Sequence, residues 1–175
     1  MNIESLIRTI PDYPKRGVMF RDITTLLQDA KGLVAAVDRL AEPFRGLGIQ
    51  KVAGIEARGF ILGGAVAVAL GAGFVLVRKK GKLPWDTISA DYDLEYGSDG
   101  VEMHTDSVAA GERVLVVDDL IATGGTAEAT IRIIEKVGGS VAGCAVIIDL
   151  PDLGGRRRIE ATGHKVVSLC EFQGD

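Results

Sequence analysis

Two adjacent acidic residues, Asp118 and Asp119, stand directly before a run of small and hydroxyl-bearing residues, Leu120-Ile121-Ala122-Thr123-Gly124-Gly125-Thr126. Ahead of them lies Val114-Leu115-Val116-Val117, an unbroken apolar stretch of the kind that forms a strand buried on both faces. After them Ala127, Ile131, Ile134 and Val137 recur at spacings of three and four, which predicts a helix with one buried face, stopped by Gly138-Gly139. In an open α/β sheet, ligands gather beyond the carboxyl ends of the strands. A helix N-terminus there offers unpaired N–H groups and the positive end of its dipole to an anion. The loop is therefore read as a phosphate site, with Thr123 and Thr126 as hydroxyl donors and Gly124-Gly125 allowing close backbone approach. Two ionised carboxylates just before it can accept hydrogen bonds from a vicinal diol, so the spacing suits a ribose carrying a 5′-phosphate. Neither G-x-x-x-x-G-K-[ST] nor G-x-G-x-x-G occurs, which weakens both the Walker A and the dinucleotide-cofactor readings.

These groups need a scaffold, and the apolar pattern supplies one. Short β-branched runs at 51–55, 74–78, 113–117, 140–148 and 165–170 alternate with helical stretches at 31–41, 60–70 and 126–137. That order predicts an α/β protein with a mostly parallel twisted sheet flanked by helices. Residues 59–77 carry no charge and are long enough to cross a bilayer, but many are Gly or Ala, and Gly71-Ala72-Gly73 divides them into a helix and a buried strand. Residues 81–112 break the rhythm, being rich in Asp, Ser, Tyr and Gly. They read as a lid or binding loop containing two or three short strands, one of them around 101–104.

The 175 residues predict a single domain, and a hydrophobic share of 47% is enough for a real core. A formal net charge of −4 excludes a protein that coats polyanions, so no nucleic-acid partner is expected. Cys144 and Cys170 lie far apart among apolar neighbours and read as packing residues rather than a disulfide or a zinc site. Neither His104 nor His164 has a second ligand type at metal-binding spacing. The N-terminus lacks the basic and apolar regions of a secretory signal, so the expected location is cytoplasmic, with no membrane association.

The stretch from Val114 to Thr126 closely resembles the phosphoribosyl pyrophosphate signature of the type I phosphoribosyltransferases. Four further segments, in order, look like the adenine-specific branch of that family. They are Gly17-Val18-Met19-Phe20-Arg21-Asp22-Ile23, Glu56-Ala57-Arg58-Gly59-Phe60, Arg78-Lys79-Lys80-Gly81-Lys82-Leu83-Pro84 and Leu94-Glu95-Tyr96-Gly97. The resemblance covers about residues 10–169. It implies the type I phosphoribosyltransferase fold with a flexible hood at about 1–30 and a flexible lid at about 79–110. It also implies transfer of a phosphoribosyl group from phosphoribosyl pyrophosphate to adenine, giving AMP and pyrophosphate with Mg2+.

By this resemblance Asp118 and Asp119 meet the ribose hydroxyls, and Ala122, Thr123, Gly124, Gly125 and Thr126 hold the 5′-phosphate, as the residues themselves suggest. Ala57 and Arg58 fall at the pyrophosphate, in a loop where the family often has a cis peptide. Phe20 would stack on the purine while backbone groups of Met19 and Arg21 read its edge. Arg78 and Lys79 would neutralise the leaving pyrophosphate, with Lys80 and Lys82 as solvated cations. Glu95 resembles the acid/base residue at the purine, and Tyr96 would help to close the site. Arg58, Lys79 and Glu95 are thus the expected catalytic residues. Magnesium would be held mainly by substrate oxygens and water, with no dedicated protein ligand. In related enzymes a basic residue of this region reaches across a subunit interface, so a homodimer is expected. Trp85, where the lid departs from the family pattern, is expected to pack within the lid. Two alternatives remain open: transfer to another base such as hypoxanthine, xanthine or orotate, and a regulator that binds phosphoribosyl pyrophosphate without catalysis.

Overall fold

A computed structural model describes residues 1–94 and 96–174. The chain opens with a two-stranded antiparallel ribbon, β1 (Arg8–Pro11) and β2 (Met19–Asp22), followed by the short helix α1 (Thr24–Gln28). Next come α2 (Ala30–Ala41), β3 (Lys51–Ile55), α3 (Arg58–Leu70), β4 (Gly73–Lys79) and a hairpin of β5 (Thr87–Asp93) and β6 (Ser98–His104). The chain then forms β7 (Arg113–Ile121), α4 (Gly125–Lys136), β8 (Ser140–Asp149), α5 (Gly155–Glu160) and β9 (Val166–Glu171).

Seven strands form one sheet in the order β5-β6-β4-β3-β7-β8-β9. The four pairings from β4 to β9 are parallel, whereas β6 pairs antiparallel with both β4 and β5. The expected mostly parallel sheet is therefore present, and its centre is covered on both sides. Along β7, Val114 and Val116 face the cluster containing Ile131, Ile133 and Ile134 of α4, while Leu115 and Val117 face the cluster containing Leu40 of α2 and Leu62 and Val66 of α3. Burial on both faces explains why this strand is apolar without alternation.

The uncharged run divides as expected. α3 ends at Gly71, whose φ of 67° is the left-handed cap that a Cβ disfavours, and β4 follows two residues later. No helix is long and apolar enough to cross a membrane among the described residues. Cys144 is fully buried, and burial pushes its thiol up to about 12; Cys170, partly buried, is pushed up to about 11, so both favour the thiol form.

Two expectations need correction. The strand predicted over 113–117 continues to Ile121, because β8 extends alongside it and pairs Leu120 with Ile148 and Ile121 with Asp149. The acid pair is thus part of the strand rather than the residues after it. Short strands expected within 81–112 are present: β5 and β6 pair over seven positions, and Arg78 and Lys79 of β4 pair with Glu102 and Val101 of β6. Trp85 does not pack in a lid; it is 64% exposed, and its backbone N–H donates to His104 Nε2 at 3.2 Å.

Candidate active site

The site lies at the carboxyl ends of β3, β4 and β7, where strand ladders stop and helix N-termini begin. A cavity of about 170 Å³ is bounded by Asp118, the loop from Leu120 to Ala127, and Val146. Among the described residues no side chain caps the first N–H groups of α4, which leaves them available to an anion. The hydroxyls of Thr123 and Thr126 make no hydrogen bond among the described residues. Gly124 takes a φ of 86° and packs against the backbone of Gly155, whose N–H donates to Ala122 O at 2.9 Å. A Cβ at Gly155 would fall 2.4 Å from that same oxygen. The loop is therefore clamped by the start of α5, a contact that sequence reasoning missed although Gly154-Gly155 marks the place.

A second cavity, about 180 Å³, shares Asp118 and Thr126 with the first and is lined also by Ile55, Glu56, Arg58, Arg78, Lys79, Val101 and Asp119. It unites most of the residues expected to bind the sugar and pyrophosphate. Arg58, at the start of α3, donates from Nε to Asp119 Oδ2 at 2.5 Å, and this bond holds its guanidinium above its ordinary pKa. Asp119 is buried, and its N–H donates to Asp118 Oδ1 at 2.8 Å. Burial, and then the neighbouring Asp119 charge, hold the Asp118 carboxyl well above the usual carboxylate range. This corrects the picture of two fully ionised carboxylates: without a ligand, the protein disfavours the second charge.

Lys79 donates to Tyr92 OH at 2.7 Å and pairs with Asp99. Burial alone would lower its pKa, but these two partners raise it, so the ammonium stays charged. Glu56 accepts the Lys79 N–H at 2.6 Å and the Lys82 ammonium at 2.9 Å; despite burial, these bonds hold its carboxyl below its usual value. Lys82 thus pairs with a cavity-lining carboxylate while its side chain stays about half exposed, and Lys80, similarly exposed, pairs with Asp91 on β5. Glu102, nearly buried, accepts the N–H groups of Gly81, Lys82 and Leu83 at 3.1, 3.1 and 3.0 Å. It fixes the backbone that carries the basic run. Tyr92, Asp99, Glu56 and Glu102 were not legible as site residues, although the alternating pattern of β5 and β6 could have marked the inward-facing Tyr92.

The peptide between Glu56 and Ala57 is cis, one bond before the Ala57-Arg58 position. Ala57 and Arg58 are exposed at the start of α3, and Arg58 alone of the two lines a cavity. Met19, Phe20 and Arg21 belong to β2, apart from both cavities. Phe20 meets Tyr13 edge to face, with ring centroids 5.1 Å apart. Tyr96 is highly exposed and lines neither cavity. The expected acid/base residue, Glu95, lies outside the described residues.

The model of the phosphoribosyl transferase domain matches residues 24–170, which span the sheet, the loop and both cavities. The chain belongs to the phosphoribosyl transferase domain family. Among its relatives, an adenine phosphoribosyltransferase of Methylobacillus flagellatus is 62% identical over 173 residues, covering 99% of this chain and 98% of that one. A crystal structure of adenine phosphoribosyltransferase from Rhodothermus marinus has a TM-score of 0.92 and 52% identity, over 97% of this chain and 96% of that chain. The Saccharomyces cerevisiae adenine phosphoribosyltransferase, solved with an iminoalditol bisphosphate and adenine, has a TM-score of 0.90 and 34% identity, with 96% of each chain covered. This phosphoribosyl transferase domain has the type I fold of the family, with its antiparallel hairpin added at one edge of the parallel sheet.

Proposed function

We propose that the protein is an adenine phosphoribosyltransferase, a pentosyltransferase of purine salvage that converts adenine and phosphoribosyl pyrophosphate to AMP and pyrophosphate. The observation that carries this reading is the pair of joined cavities. One presents a helix N-terminus and two threonine hydroxyls, and the other gathers Arg58, Arg78 and Lys79 around the acid pair. The full-length likeness to adenine phosphoribosyltransferases supplies the base.

In the proposed reaction the 5′-phosphate lies against the Ala122 to Thr126 loop, and the ribose hydroxyls meet Asp118 and Asp119. The pyrophosphate lies between Arg58 and Lys79. The bond from C1′ to the pyrophosphate oxygen breaks, and its electron pair leaves with pyrophosphate. An electron-poor, oxocarbenium-like centre forms at C1′, where a purine nitrogen supplies the new bond and adenine gives up a ring proton. The Glu95 carboxylate accepts that proton. Arg58 and Lys79 stabilise the charge that grows on the leaving group, which requires their pairs with Asp119 and Asp99 to yield to the substrate. Phe20 stacks on the base, Met19 and Arg21 read its edge through their backbones, and Tyr96 closes over it to exclude water.

Magnesium fits this site as a substrate-borne ion. Asp118 and Asp119 offer hard oxygens beside the cavities, a donor type that suits magnesium carried by substrate oxygens and water. When bound, the ion would neutralise pyrophosphate oxygens. The exposed apolar side chains Ile61 and Val68 of α3 and Leu76 of β4 support a homodimer, which light scattering would detect as twice the 18.5 kDa chain mass. The protein is proposed to act in the cytoplasm. Chromatography of a reaction with adenine, phosphoribosyl pyrophosphate and magnesium should show AMP and pyrophosphate rising together, and the absence of AMP would overturn the assignment.

A further inference from the structure

A two-stranded ribbon is marginal in water and must be anchored to hold a fixed position. The root of the β1–β2 ribbon is well tied: Arg8 pairs with Asp22 at 2.6 Å, Ile7 and Ile23 are buried, and Thr25 Oγ1 donates to Leu6 O at 2.6 Å. Nearer the tip, Phe20 stands opposite Ile10, and Arg21 stands opposite Thr9. Successive strand residues point to opposite faces, so the Arg21 side chain turns away from the face that presents Phe20.

On that reverse face Arg21 Nη1 donates to Thr9 Oγ1 at 2.7 Å, and the guanidinium carbon lies 4.3 Å from the centre of the Phe172 ring. Its buried Nε has no hydrogen-bond partner, and no carboxylate pairs with it among the described residues. The ring is thus the main counterpart of this cation. Phe172 is itself held in place. Its N–H donates to Asp149 O at the end of β8 at 3.1 Å, and two residues later the Gly174 N–H donates to Asp152 Oδ2 at 2.7 Å. Its side chain packs against the apolar cluster that includes Ile3, Ile7 and Ile23.

We infer that Phe172 is a positioning residue of the base site: its ring seats the Arg21 guanidinium from behind and so holds the ribbon where Phe20 and the Met19 and Arg21 backbones can meet the purine. The inference rests on the proposed stacking role of Phe20. It adds that the chain's C-terminal segment sets affinity for the base without touching it, while leaving the phosphoribosyl pyrophosphate cavities alone.

Steady-state kinetics of the full chain test this. Phe172→Ala should raise the KM for adenine about 5- to 30-fold, the range expected for losing one partly buried cation–ring contact, with the KM for phosphoribosyl pyrophosphate within about twofold. Phe172→Tyr and Phe172→Trp should restore the adenine KM, whereas Phe172→Leu, which fills the space without a π face, should not. Arg21→Met should match Phe172→Ala, and the double variant should be no worse than either single variant, since both remove one contact. An unchanged adenine KM in Phe172→Ala, full rescue by Leu, or additive effects in the double variant would each overturn the inference. If Phe20→Ala raises the adenine KM while Phe172→Ala does not, the clamp fails alone. If Phe20→Ala leaves that KM unchanged, the base-stacking reading fails and takes the clamp with it.

Discussion

Gly155→Ala tests whether the phosphate loop depends on its clamp. A methyl group at Gly155 would lie 2.4 Å from Ala122 O, 2.7 Å from Gly124 N and 2.9 Å from the Thr123 carbonyl carbon. All three are backbone atoms, so no side chain can swing aside. Ordinary van der Waals contact starts near 3.4 Å, so the loop and the start of α5 must part by about 1 Å. That movement breaks the 2.9 Å bond from Gly155 N to Ala122 O. Overpacking of this kind costs about 1–3 kcal/mol, which for a chain of this size lowers Tm by about 4–8 °C at the middle of the range. The loop N–H groups also lose their aim at the 5′-phosphate. One misdirected charge-assisted hydrogen bond is worth about 1.5–3 kcal/mol, so the KM for phosphoribosyl pyrophosphate should rise about 10- to 100-fold. The adenine KM should change by less than about twofold, because Phe20 lies outside both cavities. Thermal melts and steady-state kinetics give both readouts. Wild-type Tm and wild-type KM for phosphoribosyl pyrophosphate would refute the clamp.

Asp118→Asn should raise the Tm of the ligand-free protein at pH 7 while lowering kcat/KM. Burial raises the Asp118 pKa in the folded state, so its destabilising effect grows as pH rises from 3.8 through the folded value, and the amide removes it. A lower Tm across that range would contradict the assignment. Asp22 behaves in the opposite sense: the Thr24 N–H first, and then Arg8, hold it down to about 2. Its stabilising effect is complete above the ordinary value of 3.8 and is lost as pH falls towards about 2. Asp22→Asn should therefore cost about 1–2 kcal/mol at pH 7, discounted for the exposed Arg8, and little at pH 2, as followed by denaturant melts. Glu95→Gln should lower kcat by about 10²- to 10⁴-fold with little change in phosphoribosyl pyrophosphate binding by calorimetry. Unchanged turnover would remove Glu95 from the mechanism.

Residues that act through their own sequence neighbourhood were legible before the structure. Asp118, Asp119 and the Thr123 to Thr126 loop sit on one strand–loop–helix unit, so apolar periodicity and a run of small residues suffice to locate them. Charge makes Asp118 and Asp119 read as a strand end, yet hydrogen bonding to β8 carries the strand four residues further than 113–117. The partners hidden from sequence come from distant segments. Tyr92 and Asp99 reach Lys79 only because the β5–β6 hairpin joins the sheet beside β4. Gly155 reaches Ala122 only because α5 returns over the end of β7. An acidic residue such as Glu102 in a polar, irregular segment looks solvated until three backbone N–H groups are found around it. Trp85 was misread because an aromatic residue in an apparent lid suggests packing, whereas its ring is left in solvent.

The most direct test of the account is base selectivity. Pyrophosphate release should be followed with magnesium, phosphoribosyl pyrophosphate and, in turn, adenine, hypoxanthine, guanine and orotate. A site that reads a 6-amino purine through backbone hydrogen bonds should favour adenine by at least about 10³-fold in kcat/KM, since a mismatched base leaves buried polar groups unpaired. Comparable release with another base would contradict the proposed base pocket. No release with any base, alongside tight phosphoribosyl pyrophosphate binding, would leave a binding site at Asp118 to Thr126 and contradict catalysis.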